Sequence, residues 1–96
     1  MGIEEILGSK REEILRIAER HGVTSIRVFG SVARGEAGSQ SDVDFLVEVG
    51  PNRTPWFPAG LICDLEDLLG RHVDVATPRG LHWYIKDRIL AEAVGL

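Results

Sequence analysis

Phe29-Gly30-Ser31-Val32-Ala33-Arg34-Gly35, followed after a short polar stretch by Ser41-Asp42-Val43-Asp44-Phe45-Leu46-Val47, decides how this chain folds. Thr24–Phe29 alternates and is rich in β-formers, which predicts a strand. Gly30 breaks that strand, and Ser31 to Arg34 has the length of one helical turn. Gly35 to Gln40 is polar and glycine-containing, so it reads as a loop. Ser41–Val49 is the second strand, with Val43, Phe45, Val47 and Val49 on one face. Residues two apart on a strand share a face, so Asp42 and Asp44 project together, opposite that apolar row.

Outward from this core, Ile3 to about Arg20 has helical spacing, its apolar stripe running through Ile3, Ile6, Leu7, Ile14, Ile17 and Ala18. Ser9 with Glu12 has the form of a capping box, and Gly22 suits the C′ position beyond the helix. Downstream, Thr54-Pro55 looks like an N-cap followed by proline in the first turn, and the helix body spans Ala59–Leu69 before Gly70. His72–Ala76 predicts a third strand and Leu81–Val94 a final helix, with Ile85, Ile89, Leu90 and Ala93 on one stripe. The order αβαβαβα implies an α/β (α+β) fold with a small three-stranded mixed sheet and helices. At 96 residues, the expectation is one domain over 1–96.

Composition narrows the function. The chain is 44% hydrophobic and 27% charged, with a formal net charge of −4. Duplex binders are usually basic, because neutralising phosphates drives their affinity. No direct nucleic-acid binding is therefore expected, whereas a small anion held locally by metal remains compatible. Cys63 is the sole cysteine, which rules out an internal disulfide and a CxxC metal site. Its neighbours Leu61, Ile62 and Leu65 suggest a buried thiol. No stretch approaches the ~20 apolar residues of a membrane helix, and Met1–Ser9 lacks the basic start of a signal peptide. A cytoplasmic protein with no membrane partner is expected.

The chemistry lies in the acidic residues. Two carboxylates side by side on an apolar strand repel each other, a cost that a sequence selected only for folding would avoid. A divalent cation offsets the repulsion, and oxygen ligands suit Mg²⁺ or Mn²⁺. Asp74, between core-facing Val73 and Val75, can join Asp42 and Asp44 if the second and third strands are neighbours. Three carboxylates on one sheet face suit a two-metal phosphoryl-transfer site. At Gly30-Ser31 a strand gives way to a helical turn. Backbone N–H groups there can meet phosphate, with the Ser31 hydroxyl as a further donor and Arg34 a source of charge. Singly, these features are common in ordinary strand edges and turns. Together they are specific. A calcium-binding EF-hand is excluded because Phe45-Leu46-Val47 continues a strand where loop ligands are required, and a Walker A loop is excluded for want of Gly-Lys-Ser/Thr.

Phe29–Ala37 and Ser41–Val47 closely resemble the minimal nucleotidyltransferase (MNT) family of the DNA polymerase β superfamily. Leu68–Val75 resembles its third-aspartate segment, and Arg88–Val94 its closing helix, so the resemblance covers nearly the whole chain. It implies an adenylyltransferase that uses ATP and two Mg²⁺ ions, Mn²⁺ being an alternative. It implies a partner too: a HEPN-domain toxin, a helical RNase whose tyrosine hydroxyl receives AMP, the chain serving as antitoxin. By motif position, Asp42 and Asp44 would bind both metals and Asp74 the one that activates the hydroxyl. Gly30 and Ser31 would hold the triphosphate, with Arg34 beside them. Trp56, Phe57 and Pro58 match no part of the pattern.

Other residues have plainer readings. Arg79, Lys86 and Arg88 flank the third strand and last helix, with Arg88 expected to be partly buried beside the site. His21, His72 and His82 read as element ends, although His72 shares the face of Asp74. Trp83 and Tyr84 are expected to pack on the core or on a partner, and Trp56-Phe57 to form an exposed apolar patch at an interface. Two alternatives stand beside the enzyme: an antitoxin that neutralises by binding alone, and a transferase acting on a small molecule. A homo- or hetero-oligomer accords with the short chain.

Overall fold

A computed structural model describes residues 1–96. The elements are α1 (Ile3–Ile6), a 3₁₀ turn (Gly8–Lys10), α2 (Arg11–Arg20), β1 (Val23–Phe29), α3 (Gly30–Ala33) and β2 (Val43–Val49). They continue with α4 (Ala59–Leu69), β3 (Val73–Ala76), a second 3₁₀ turn (Pro78–Gly80), α5 (Trp83–Glu92) and β4 (Val94–Gly95). The sheet order is β3-β2-β1-β4. β1 runs antiparallel to both β2 and β4, whereas β2 and β3 are parallel, joined through α4.

The α/β class holds, but the sheet has four strands rather than three. The predicted last helix stops at Glu92 because Ala93 adopts an extended conformation (ψ 136°). Val94 and Gly95 then pair with Val28 and Arg27. A two-residue strand is too short to show periodicity, so the helical stripe absorbs it.

The first helix is also divided. The chain leaves helical geometry at Leu7 (ψ −18°, φ −114°) and passes through a 3₁₀ turn before α2. Leu7 is thereby fully buried. Ser9 lies inside that turn, and α2 starts after Lys10 without a side-chain cap, so the expected capping box does not form. Thr54-Pro55 does not cap α4 either, since the helix starts after Pro58. Instead the Thr54 hydroxyl meets His21 Nδ1 at 3.1 Å, and His21 Nε2 meets Asp64 Oδ2 at 2.7 Å. This pair of contacts ties the end of α2 to the 51–58 loop and to α4. At the other end of α4 Gly70 does act as the left-handed terminator (φ 65°), its N–H donating to the Glu66 carbonyl at 2.8 Å.

The core lies on one face of the sheet, where Val28, Val43, Phe45, Val47 and Val73 pack with Ile14, Ile17 and Ala18 of α2 and Leu61 and Leu65 of α4. Phe45, Ile14, Leu61 and Leu65 are fully buried. Burying each such side chain contributes about 1.5–3 kcal/mol. Cys63 is exposed, contrary to expectation. Leu61 and Leu65 are one helical turn apart and share the buried face, whereas Cys63, two residues from either, points the other way. Trp83 and Tyr84 are exposed as well, at 80% and 66%, and so do not pack on the core.

Candidate active site

The parallel register aligns Asp44 with Asp74 on adjacent strands, and the antiparallel register puts Phe29 opposite Asp44. Gly30 follows Phe29 and turns the chain with φ 74°. A Cβ on Gly30 would collide with the Asp44 carboxylate, which is why glycine stands here. The expected convergence of strand 2, strand 3 and the Gly30-Ser31 bend is therefore present.

Asp44 carries the electrostatic signature of the site. Burial pushes its carboxyl up to about 6, helped by the neighbouring charges of Asp74 and then Asp42 and by a hydrogen bond with Asp74. Without a cation, a proton between Asp44 and Asp74 relieves the repulsion. The oxygen-donor chemistry and the shared proton make this pair a place that a hard divalent cation fits. The three aspartates nevertheless do not close into a ready-made group of three metal-ligating side chains. Asp44 and Asp74 converge most closely, while Asp42 precedes β2 on an exposed position and acts on Asp44 through its charge.

The backbone on either side of Asp42 is tied down. Arg71 Nη1 donates to the carbonyls of Gly38 and Ser41 at 2.9 and 3.1 Å, and the Val43 N–H donates to the His72 carbonyl at 2.9 Å. Glu66 Oε2 accepts from the Val73 N–H at 3.0 Å and lies 3.3 Å from His72 Nδ1. His72 thus faces Glu66 and not Asp74. Arg88, expected to be half-buried beside the site, is exposed.

Around Gly30 the structure adds a residue that sequence reasoning missed. Glu92, the last residue of α5, accepts from the Gly30 N–H at 2.7 Å and from Arg34 Nη1 at 3.1 Å. Arg34 Nε donates to Glu36 at 3.3 Å, and the two carboxylates raise the guanidinium pKa above its usual value, Glu92 more than Glu36. One signal was available in the sequence. A glutamate in the last turn of a helix meets the negative end of the dipole, so it calls for a compensating partner elsewhere. With the Gly30 N–H engaged, the Ser31 hydroxyl and N–H are the next donors along the turn.

The largest concavity, about 670 Å³, lies away from the carboxylates, between the 53–58 loop and the end of β3. It is lined by Phe57, Pro58, Ala76 and Thr77 among others and gathers no acidic groups. The aspartate cluster, and not this hollow, carries the chemistry.

A family model described as a nucleotidyltransferase domain matches residues 11–96. The chain belongs to the nucleotidyltransferase domain family. Among curated relatives, a Methanocaldococcus jannaschii protein provisionally named a protein adenylyltransferase is 43% identical over 94 residues, covering 98% of this chain and 97% of its own length. The Thermococcus cleftensis protein adenylyltransferase MntA is 40% identical over 92 residues, covering 96% and 90%. A solved structure provisionally described as a minimal nucleotidyltransferase superposes with a TM-score of 0.84 at 45% identity, covering 100% of this chain and 97% of that one. The fold also matches a crystal structure of a toxin–antitoxin with AMP-PNP, with a TM-score of 0.74 at 18% identity, covering 90% and 71%. Membership in this nucleotidyltransferase family, with relatives named protein adenylyltransferases, makes the chain an enzyme of nucleotidyl transfer. No helix is long and apolar enough to cross a membrane.

Proposed function

We propose that this nucleotidyltransferase is a cytoplasmic antitoxin that transfers AMP from ATP to a tyrosine hydroxyl of a HEPN-type toxin. The observation that carries the reading is the alignment of Asp44 with Asp74 beside the Gly30-Ser31 turn. The names of the relatives favour a protein acceptor, and the toxin–antitoxin neighbour with AMP-PNP favours the partner and the nucleotide.

Asp42 and Asp44 would hold two Mg²⁺ ions and Asp74 one of them; when bound, the metal neutralises the triphosphate and favours the ionised acceptor. Asp44 serves through its ionised form, and its raised pKa means that below about pH 6 a proton competes with the cation for the carboxylate. The Ser31 hydroxyl and N–H donate to phosphate oxygens, and Arg34 adds positive charge on the outer side. The tyrosine oxygen forms a bond to the α-phosphorus while the bond to the α–β bridging oxygen breaks. Pyrophosphate leaves and the phenolic proton passes to water.

The test is incubation of the chain with labelled ATP, Mg²⁺ and the toxin encoded beside it. A labelled toxin tyrosine, lost with Asp44→Asn, is the expected result. Neutralisation of the toxin by wild type and Asp44→Asn alike, with no label on either, would overturn it. That outcome would favour the binding-only antitoxin, for which the exposed Trp56 and Trp83 offer contact surface.

A further inference from the structure

Glu92 has no part in the chemistry above, yet it grips the turn that the chemistry uses. Its carboxylate accepts from the Gly30 N–H at 2.7 Å and from Arg34 Nη1 at 3.1 and 3.3 Å. The side chain is only 20% exposed, against 47% for Arg34. A carboxylate on the Gly30 N–H adds negative charge at the turn where a triphosphate has to bind. Its end-of-helix position is also opposed by the helix dipole. A residue placed against two electrostatic costs is there for its geometry.

That geometry is stiff on both sides. Val94 and Gly95, separated from Glu92 by Ala93 alone, are paired to Val28 and Arg27 of β1, the strand that delivers Gly30. Gly30 holds a left-handed conformation with no room for a Cβ against Asp44. The orientation of its peptide therefore sets both the carboxylate behind it and the Ser31 hydroxyl ahead of it. Arg34, bound through Nη1 to Glu92 and through Nε to Glu36, keeps Nη2 free for a further acceptor.

We infer that Glu92 is a positioning residue for nucleotide binding: it fixes the Gly30 peptide and the Arg34 side chain so that Ser31 and Arg34 meet the triphosphate from preset positions. This rests on the reading of the site as an ATP·Mg²⁺ site.

The sign of one measurement separates positioning from mere proximity. If Glu92 were only a nearby charge, removing it would relieve repulsion and tighten binding of a polyanion. Positioning demands the reverse. Titration calorimetry of ATP·Mg²⁺ should give about tenfold weaker binding to Glu92→Ala, as expected for loss of charge-assisted hydrogen bonds. Glu92→Gln, which keeps a neutral acceptor for Gly30, should recover to within about threefold of wild type. Thermal melting of the same samples shows whether each variant is folded. Should Glu92→Ala fail to fold, Glu92→Gln decides alone, since binding severalfold tighter than wild type overturns the inference. Wild type that binds while Glu92→Ala binds equally well or better also overturns it. Wild type that binds no ATP·Mg²⁺ overturns the site reading and this inference with it.

Discussion

Around Asp44 the two faces of β2 follow opposite rules. On one, Val43, Phe45 and Val47 are fully buried against α2 and α4 and supply the adhesion of the fold. On the other, Asp44 stands beside Asp74 with its carboxyl pushed up to about 6, a destabilised group kept in place by the rest of the strand. A strand can hold such a group only because its other face is so firmly anchored. The stability of one face sustains the strain of the other.

The largest expected effect breaks the buried face. Phe45→Ala should cost about 3–5 kcal/mol, measured by urea denaturation. Against the ~5–15 kcal/mol of a typical domain, that is enough to leave a sizeable unfolded fraction. Activity lost by Phe45→Ala should therefore track unfolding, whereas a folded Phe45→Ala protein with no nucleotide binding would erase the division between the faces.

Asp44→Asn should do the opposite. Nucleotidyl transfer should fall by about a hundredfold or more, worth ~2.7 kcal/mol of transition-state stabilisation, in a protein that stays folded and melts no lower than wild type. Gly30→Ala should come next, because the left-handed φ alone costs about 1–2 kcal/mol and the new methyl pushes on Asp44. Its melting temperature should fall by several degrees, and nucleotide binding with it.

The pH dependence sharpens the comparison. Asp44 has a folded pKa of about 6, above its ordinary 3.8, so between those values the folded state holds the extra proton. Stability from this group is therefore greatest at the acid end and is lost as pH rises through about 6. In metal-free buffer Asp44→Asn should match wild type below about pH 4, draw ahead between pH 4 and 6, and exceed it at pH 7. Discounted for partial exposure the gap is about 1 kcal/mol, or ~4–8 °C in melting temperature. A gap that shrinks as pH rises would contradict the assignment. The smallest effect belongs to the exposed side of α4, where Cys63→Ser should stay within about 0.5 kcal/mol of wild type by urea denaturation.

Much of this was legible in the chain because it is local. The spacing of Asp42 and Asp44 fixes a shared direction on any strand, and Gly30-Ser31 announces a turn without knowledge of the rest. The position of Asp74 required one long-range fact, that β2 and β3 are neighbours, which the sequence leaves open and the parallel pairing supplies. What escaped reading was held by distant partners. Glu92 lies 62 residues from Gly30, and nothing between them encodes their contact. Thr54 has the look of a cap but answers to His21, and Val94 looks helical until β1 offers it hydrogen bonds. Cys63 departs from expectation for a different reason: its apolar neighbours in sequence are not its neighbours in space.

The parallel pairing of β2 with β3 has one more consequence. Sliding either strand by a single residue would set a valine beside Asp44 and turn Asp74 to the opposite side. A misregistered molecule could be compact and hydrophobically satisfied, yet it would be chemically silent. In any preparation, the fraction of molecules able to turn over thus doubles as a census of those whose strands have come to rest in the right alignment.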